Sequence, residues 1–117
     1  AAPHAVFSYP QIASVGLTQE EARNKVYDFL VGKAKYNDVA KGEAMMETEG
    51  FAKAIADKKT MKILGFHIIG PYAPMIIQEV ITIMAIGGQV GHIGHGMHIH
   101  PALPELITRT LANLKEV

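Results

Sequence analysis

Residues 50–70, GFAKAIADKKTMKILGFHIIG, constrain the fold of this chain more than any other stretch. In the first half Phe51, Lys53 and Ile55 alternate with Ala52, Ala54 and Ala56, the period of a strand with two different faces. In the second half Leu64, Phe66 and Ile68 line one face and Ile63, His67 and Ile69 the other, until Gly70-Pro71 stops the run. The link Asp57-Lys58-Lys59-Thr60 is short and polar. The pattern therefore predicts an antiparallel hairpin, Gly50–Asp57 with Met61–Gly70. A face made only of alanine has little bulk, so it suits the close approach of a helix.

The flanking patterns supply partners for that hairpin. Ala5–Ser8 and Ile12–Gly16 are short β-type runs parted by Tyr9-Pro10, where proline implies a bend or an edge. Thr18-Gln19-Glu20-Glu21 reads as a capping box, with a helix of about two turns ending near Lys25. Val26–Tyr36 reads as a strand, and Asn37–Met46 as irregular chain with one helical turn. Ala73–Ile86 has helical period, with Gln78, Glu79 and Thr82 as its narrow polar stripe. A helix so apolar is buried on more than one side. Either it is a deep core helix or a second subunit covers what the sheet does not. Gly87-Gly88 ends it. Leu103–Leu114 is the last helix, with Leu103, Leu106, Ile107, Thr110, Leu111 and Leu114 on one stripe and Pro104 in its first turn. Strands, a short helix, more strands and then helices make an α+β domain with an antiparallel sheet.

Composition narrows the function classes. A chain of 117 residues is one domain, residues 1–117, and can bury roughly two-thirds of its extended-chain surface. Eleven basic and eleven acidic residues leave no formal net charge, which argues against capture of nucleic acid or an anionic membrane. No apolar run reaches the ~18 residues of a membrane-spanning helix. Cysteine is absent, so a thiol nucleophile, a thiolate metal site and an internal disulfide are excluded; the cytoplasm is the default compartment. No GxGxxG or P-loop signature is present.

Chemistry concentrates between residues 92 and 105. Four of the six histidines, His92, His95, His98 and His100, fall there. Three readings stay open. His92 and His95, three apart, could hold a metal, although Gly91, Gly94 and Gly96 work against a regular helix. They could equally cap and pack. Third, His100 could act as a general acid–base, with Glu105 folded back across Pro101 to fix its tautomer and stabilise its charged form. No nucleophile motif accompanies that pair.

Three motifs then point to one family. HIHPALPE (His98 to Glu105) resembles the C-terminal signature of the flavin-dependent pyridine nucleotide–disulfide oxidoreductases. VFSYPQIASVGLTQEEA (Val6 to Ala22) and GFAKAIADKKTMKILGFHIIGPYAPMIIQE (Gly50 to Glu79) are similar to runs of the same domain, in the same order and near the same spacing. The likeness covers nearly the whole chain and leans to the dihydrolipoamide dehydrogenase and mycothiol-disulfide-reductase-like branches. It implies the C-terminal dimerisation, or interface, domain of such an enzyme: an antiparallel sheet of about five strands with helices on one side, forming a homodimer. By position, His100 takes the family's acid–base role and Glu105 that of its carboxylate partner, acting on a small disulfide or dithiol in the neighbouring subunit's site. The backbone at His100 and Pro101 is expected to touch that subunit's flavin. Ala102 and Pro104 depart from the commonest residues of the signature, and Gly91-His92 stands where the family has an acidic pair. The FAD and NAD(P) domains and the redox-active cysteine pair are not in this sequence. The resemblance therefore implies a part of a longer flavoenzyme, inactive alone and binding no cofactor tightly. A stand-alone interaction module of the same fold and a histidine-rich metal-binding protein are the alternatives.

Overall fold

The computed structural model describes residues 3–7, 10–25, 28–38, 50–93 and 105–117. Five strands form one antiparallel sheet: β1 (His4–Val6), β2 (Ile12–Gly16), β3 (Phe29–Lys35), β4 (Phe51–Asp57) and β5 (Ile63–Ile69), in the order β1-β2-β5-β4-β3. The predicted hairpin is its centre. Asp57 Oδ1 accepts the N–H groups of Lys59 (2.8 Å) and Thr60 (2.9 Å), which closes the turn. Those two bonds, Thr60's first, hold the Asp57 carboxyl below the usual carboxylate range. The turn is thus tightest above that range and loosens as pH falls through the lowered value.

Register places Ala13 and Val15 of β2, Phe66 and Ile68 of β5, Ala52 and Ala54 of β4 and Ala34 of β3 on one face, all buried. The alternation of β5 breaks at a bulge. Ile55 pairs with Gly65 but Ala56 pairs with Ile63, so Leu64 is the extra residue. Ile63, not Leu64, therefore joins the core face. On the other side of β5 the ladder with β2 runs on without a break, the Leu64 carbonyl accepting the N–H of Leu17 (2.9 Å).

Helices α2 (Ala73–Ile76), α3 (Gln78–Ala85) and α5 (Glu105–Ala112) pack on this face through Ile76, Ile77, Val80, Leu106, Ile107 and Leu111. The alanine face receives α5 as expected, and Gly32 brings it closer still. A Cβ on Gly32 would lie 2.3 Å from the Thr110 carbonyl oxygen. Thr110 is fully buried, its hydroxyl donating to the Leu106 carbonyl one turn back (2.6 Å), so the contact leaves no polar group unpaired. Helix α5 is shorter than its apolar stripe. After Ala112 the chain leaves the helix, and Lys115 exchanges two backbone hydrogen bonds with Val31 (3.0 and 3.1 Å), strapping the outer edge of β3.

The span Ala73–Ile86 divides at Ile77 into α2 and α3, although the Ile77 backbone remains right-handed (φ −70°, ψ −14°). Its end is a Schellman motif. Gly88 N–H donates to the Ile83 carbonyl and Gly87 N–H to that of Met84, with Gly87 at φ +67°. Helix α1 (Gln19–Asn24) lies on the opposite face of the sheet. Its Thr18–Glu21 capping box forms in both directions (3.0 and 3.1 Å). His67 bonds the Leu17 carbonyl oxygen at 2.8 Å, and Gly65 leaves room for the same carbonyl.

Met61 carries a cost. Its φ is +59°, a region that long side chains visit at a penalty. Met61→Asn is expected to raise stability by about 1 kcal/mol, read as a higher urea midpoint at unchanged slope. An unchanged midpoint would mean that the turn holds no such strain.

Candidate functional site

The chain leading into the histidine-rich segment is fixed to the start of β5. Val90 N–H donates to the Met61 carbonyl (2.8 Å), and Ile63 N–H to that of Gly88 (3.4 Å). The Gln89 side-chain amide donates to the Thr60 carbonyl (2.8 Å). Helix α4 (Val90–Ile93) follows and contains His92. On the far side of the segment α5 begins at Glu105, with the Thr108 hydroxyl bonded to the Glu105 carbonyl (2.8 Å). Glu105 is half-buried in the first turn. Both anchors are thus built from the sheet outward.

His95, His98, His100 and Pro101 lie outside the described residues, so the structure places Glu105 but not the histidine expected beside it. Among the described residues no three histidine, aspartate or glutamate side chains gather as a metal site. The sequence reading missed two supports of this region. One is Gly32, whose lack of a side chain sets the depth of α5. The other is Tyr36, fully buried, whose hydroxyl donates to the Pro71 carbonyl (2.8 Å) and holds the turn before α2. Neither has a local signal, because both contacts join residues far apart in sequence.

The outer side of α2–α3 is the second element of the site. Tyr72, Met75, Glu79, Thr82 and Ile86 follow one another at spacings of three and four, one line along the helices. Tyr72 is 48% exposed, Met75 75% and Ile86 74%. The sheet covers the inner side through Ile76, Ile77 and Val80, and leaves Tyr72, Met75 and Ile86 of this line exposed. An α+β domain with a sheet-backed helix pair and an apolar outer line is an assembly domain in form.

Comparison with known proteins says which kind. Residues 2–111 match the family described as "Pyridine nucleotide-disulphide oxidoreductase, dimerisation domain", and the chain belongs to that family. It is 42% identical over 114 residues to mycothione reductase of Mycobacterium tuberculosis, covering 97% of this chain and 25% of that one. It is 35% identical over 116 residues to dihydrolipoyl dehydrogenase 3 of Haloarcula marismortui, covering 99% of this chain and 24% of the relative. The chain thus spans about a quarter of the length of these relatives. Among solved structures, the HOCl-induced flavoprotein disulfide reductase RclA of Escherichia coli superposes with a TM-score of 0.88 at 27% identity, over 95% of this chain and 25% of RclA. LpdA of Mycobacterium tuberculosis gives 0.87 at 20% identity, over 95% of this chain and 24% of LpdA, a likeness of fold. The five-stranded antiparallel sheet with its helices is the fold of this domain in those enzymes.

Proposed function

We propose that this chain serves as the dimerisation domain of a cytoplasmic disulfide oxidoreductase dependent on FAD and NAD(P), and that it lends His100 and Glu105 to the partner subunit's thiol–disulfide site. In such an enzyme the flavin, held by other domains, passes electrons between the pyridine nucleotide and the disulfide. This domain supplies assembly and proton handling. His100 takes the proton of a dithiol substrate so that the thiolate can attack, and returns it in reverse. Glu105, on the anchored first turn of α5, fixes the imidazole and stabilises its cation. The backbone at His100 and Pro101 meets the partner's flavin.

The observation that carries the reading is the outer line of α2–α3. Its ends are apolar, Tyr72 and Met75 at one and Ile86 at the other, with Glu79 and Thr82 between. That order is self-complementary. In an antiparallel two-fold pairing the Met75 end of one copy meets the Ile86 end of the other, and the polar middles face each other. Met75→Glu with Ile86→Glu is expected to shift this chain from dimer to monomer in sedimentation equilibrium, with its far-ultraviolet spectrum intact. A dimer that survives both changes would remove the seam.

The cross-subunit role has its own test, in the whole polypeptide that carries this domain. His100→Gln subunits are mixed with subunits whose redox cysteines are replaced by serine. Random pairing is expected to restore about a quarter of the wild-type rate, from dimers that keep one intact site. No recovery would place the pair in the wrong subunit.

A further inference from the structure

Among the described residues, the sheet face opposite α2, α3 and α5 is covered only at one end. Helix α1 lies over the end that holds Gly65 and Ile55. Beyond it, strand register lines up two rows of outward positions. The first runs Lys33, Lys53, His67, Ser14, His4. The second, two residues further along each strand, runs Lys35, Phe51, Ile69, Ile12, Val6. One row is cationic and polar, the other apolar with a lysine at its end. Phe51 is 36% exposed, Val6 37%, and Phe7 just beyond it 75%. The rows touch: Lys33 Nζ stands 6.0 Å from the centre of the Phe51 ring.

Like charges set directly opposite each other across strands destabilise a sheet unless something answers them. Lys33 and Lys53 are such a pair. Arg23, on α1, adds to the field: Lys53 is held below the ordinary lysine range by partial burial first, then by Lys33 and Arg23. Lys58 pairs with Glu116, and between described residues no carboxylate pairs with Lys33 or Lys53. Glu21, the α1 carboxylate near His67, is committed to the Thr18 cap. Asp38 accepts the backbone N–H of Lys35 (2.7 Å). Zero net charge overall thus coexists with a cationic row on this face.

We infer that this open sheet face docks an acidic amphipathic segment of a partner protein, carboxylates on the Lys33–Lys53–His67 row and apolar side chains on the Phe51–Ile69–Ile12 row. Five strand positions span ~19 Å, which a helix of about 13 residues covers. A phosphate would answer the first row and leave the second exposed. A membrane needs protruding apolar groups, whereas Ile69 and Ile12 are half-buried, with half-buried Lys53 beside them. The face is on the other side of the sheet from the α2–α3 seam and from α5, so assembly through the seam leaves it accessible.

The test titrates this chain, labelled with nitrogen-15, with a helical peptide of about 13 residues that carries leucines on one face and glutamates on the next. Amide shifts are expected at Lys33, Lys53, His67, Phe51 and Ile69. Glutamine in place of the glutamates should weaken binding at least about tenfold, as should raising salt from about 0.05 to about 0.3 M. Lys33→Glu with Lys53→Glu should reverse the preference, towards a peptide with lysines for glutamates. Should that variant lose its dispersed amide spectrum, Lys33→Gln alone is read, with roughly threefold weaker binding expected. Three results would overturn the inference. The charged and uncharged peptides could bind alike or not at all. Phosphatidylserine vesicles could bind this face in place of the peptide. Lys33 and Lys53 could already be shielded from acetylation in the whole polypeptide with nothing added, making the occupant a neighbouring domain.

Discussion

Replacing His100 with glutamine, in the whole polypeptide that carries this domain, is expected to slow exchange with the disulfide substrate by about 10²–10⁴-fold. Reduction of the flavin by the pyridine nucleotide should stay within about twofold of its starting rate, because that half-reaction needs no proton from the thiol side. The two half-reactions are separable by rapid mixing, and equal losses in both would remove the assigned role. Glutamine keeps the size and one hydrogen bond of the imidazole but cannot titrate. The pH dependence of the disulfide half-reaction near the histidine range should therefore flatten. Glu105→Gln should cost less, about 10–100-fold, because Glu105 acts through the imidazole and touches no reacting sulfur. Its signature is a lowered histidine pKa in the rate profile. A merely structural role for Glu105 would lower the rate without moving that profile.

Parts of this architecture were legible in the sequence because their causes are local. The capping box needs only Thr18 and Glu21, and it forms as the spacing predicts. The alternation around Ala52 and Ala54 fixes which face is buried, since a slip of one residue would expose it. The features that differ have distant causes. Leu64 leaves the core face at a bulge in the pairing of β5 with β4. The last helix stops at Ala112 although its apolar stripe runs on to Leu114, because Lys115 is claimed by Val31 on the far edge of the sheet. The strand expected from Val26 is described from Phe29, and Tyr36 turns out of it to reach Pro71. In the candidate site the place of Glu105 in the first turn of a helix was legible, since a proline and an acidic residue mark a helix start, but its partner His100 lies outside the described residues. The seam was half legible. The excess of apolar residues in Ala73–Ile86 announces a second covered side, but only the packed helix shows that Met75 and Ile86 lie on it.

Gly32 should tolerate no side chain, and Gly32→Ala is expected to cost about 3 kcal/mol, the upper part of the range for overpacking. Glycine inside a strand is normally a weakness, since it loses more chain entropy than alanine on folding. Alanine at an unconstrained strand position would therefore gain a few tenths of a kcal/mol to about 1. Here the added methyl would stand 2.3 Å from the Thr110 carbonyl oxygen and 3.1 Å from the Leu114 nitrogen. Both are backbone atoms, so no rotamer change relieves the clash, and the whole of α5 must lift from β3. For a chain of this length about 3 kcal/mol corresponds to a fall in Tm on the order of 10 °C. Gly91→Ala is the control, because a Cβ there meets nothing within 4 Å and helical alanine is favoured over glycine. It should leave Tm unchanged or raise it. Lifting α5 also moves Glu105, so in the whole polypeptide Gly32→Ala should lower the disulfide half-reaction and spare flavin reduction. The same split would thus follow from a methyl placed on the opposite side of α5. Loss of stability without loss of rate would show that the depth of α5 matters to the fold and not to the position of Glu105.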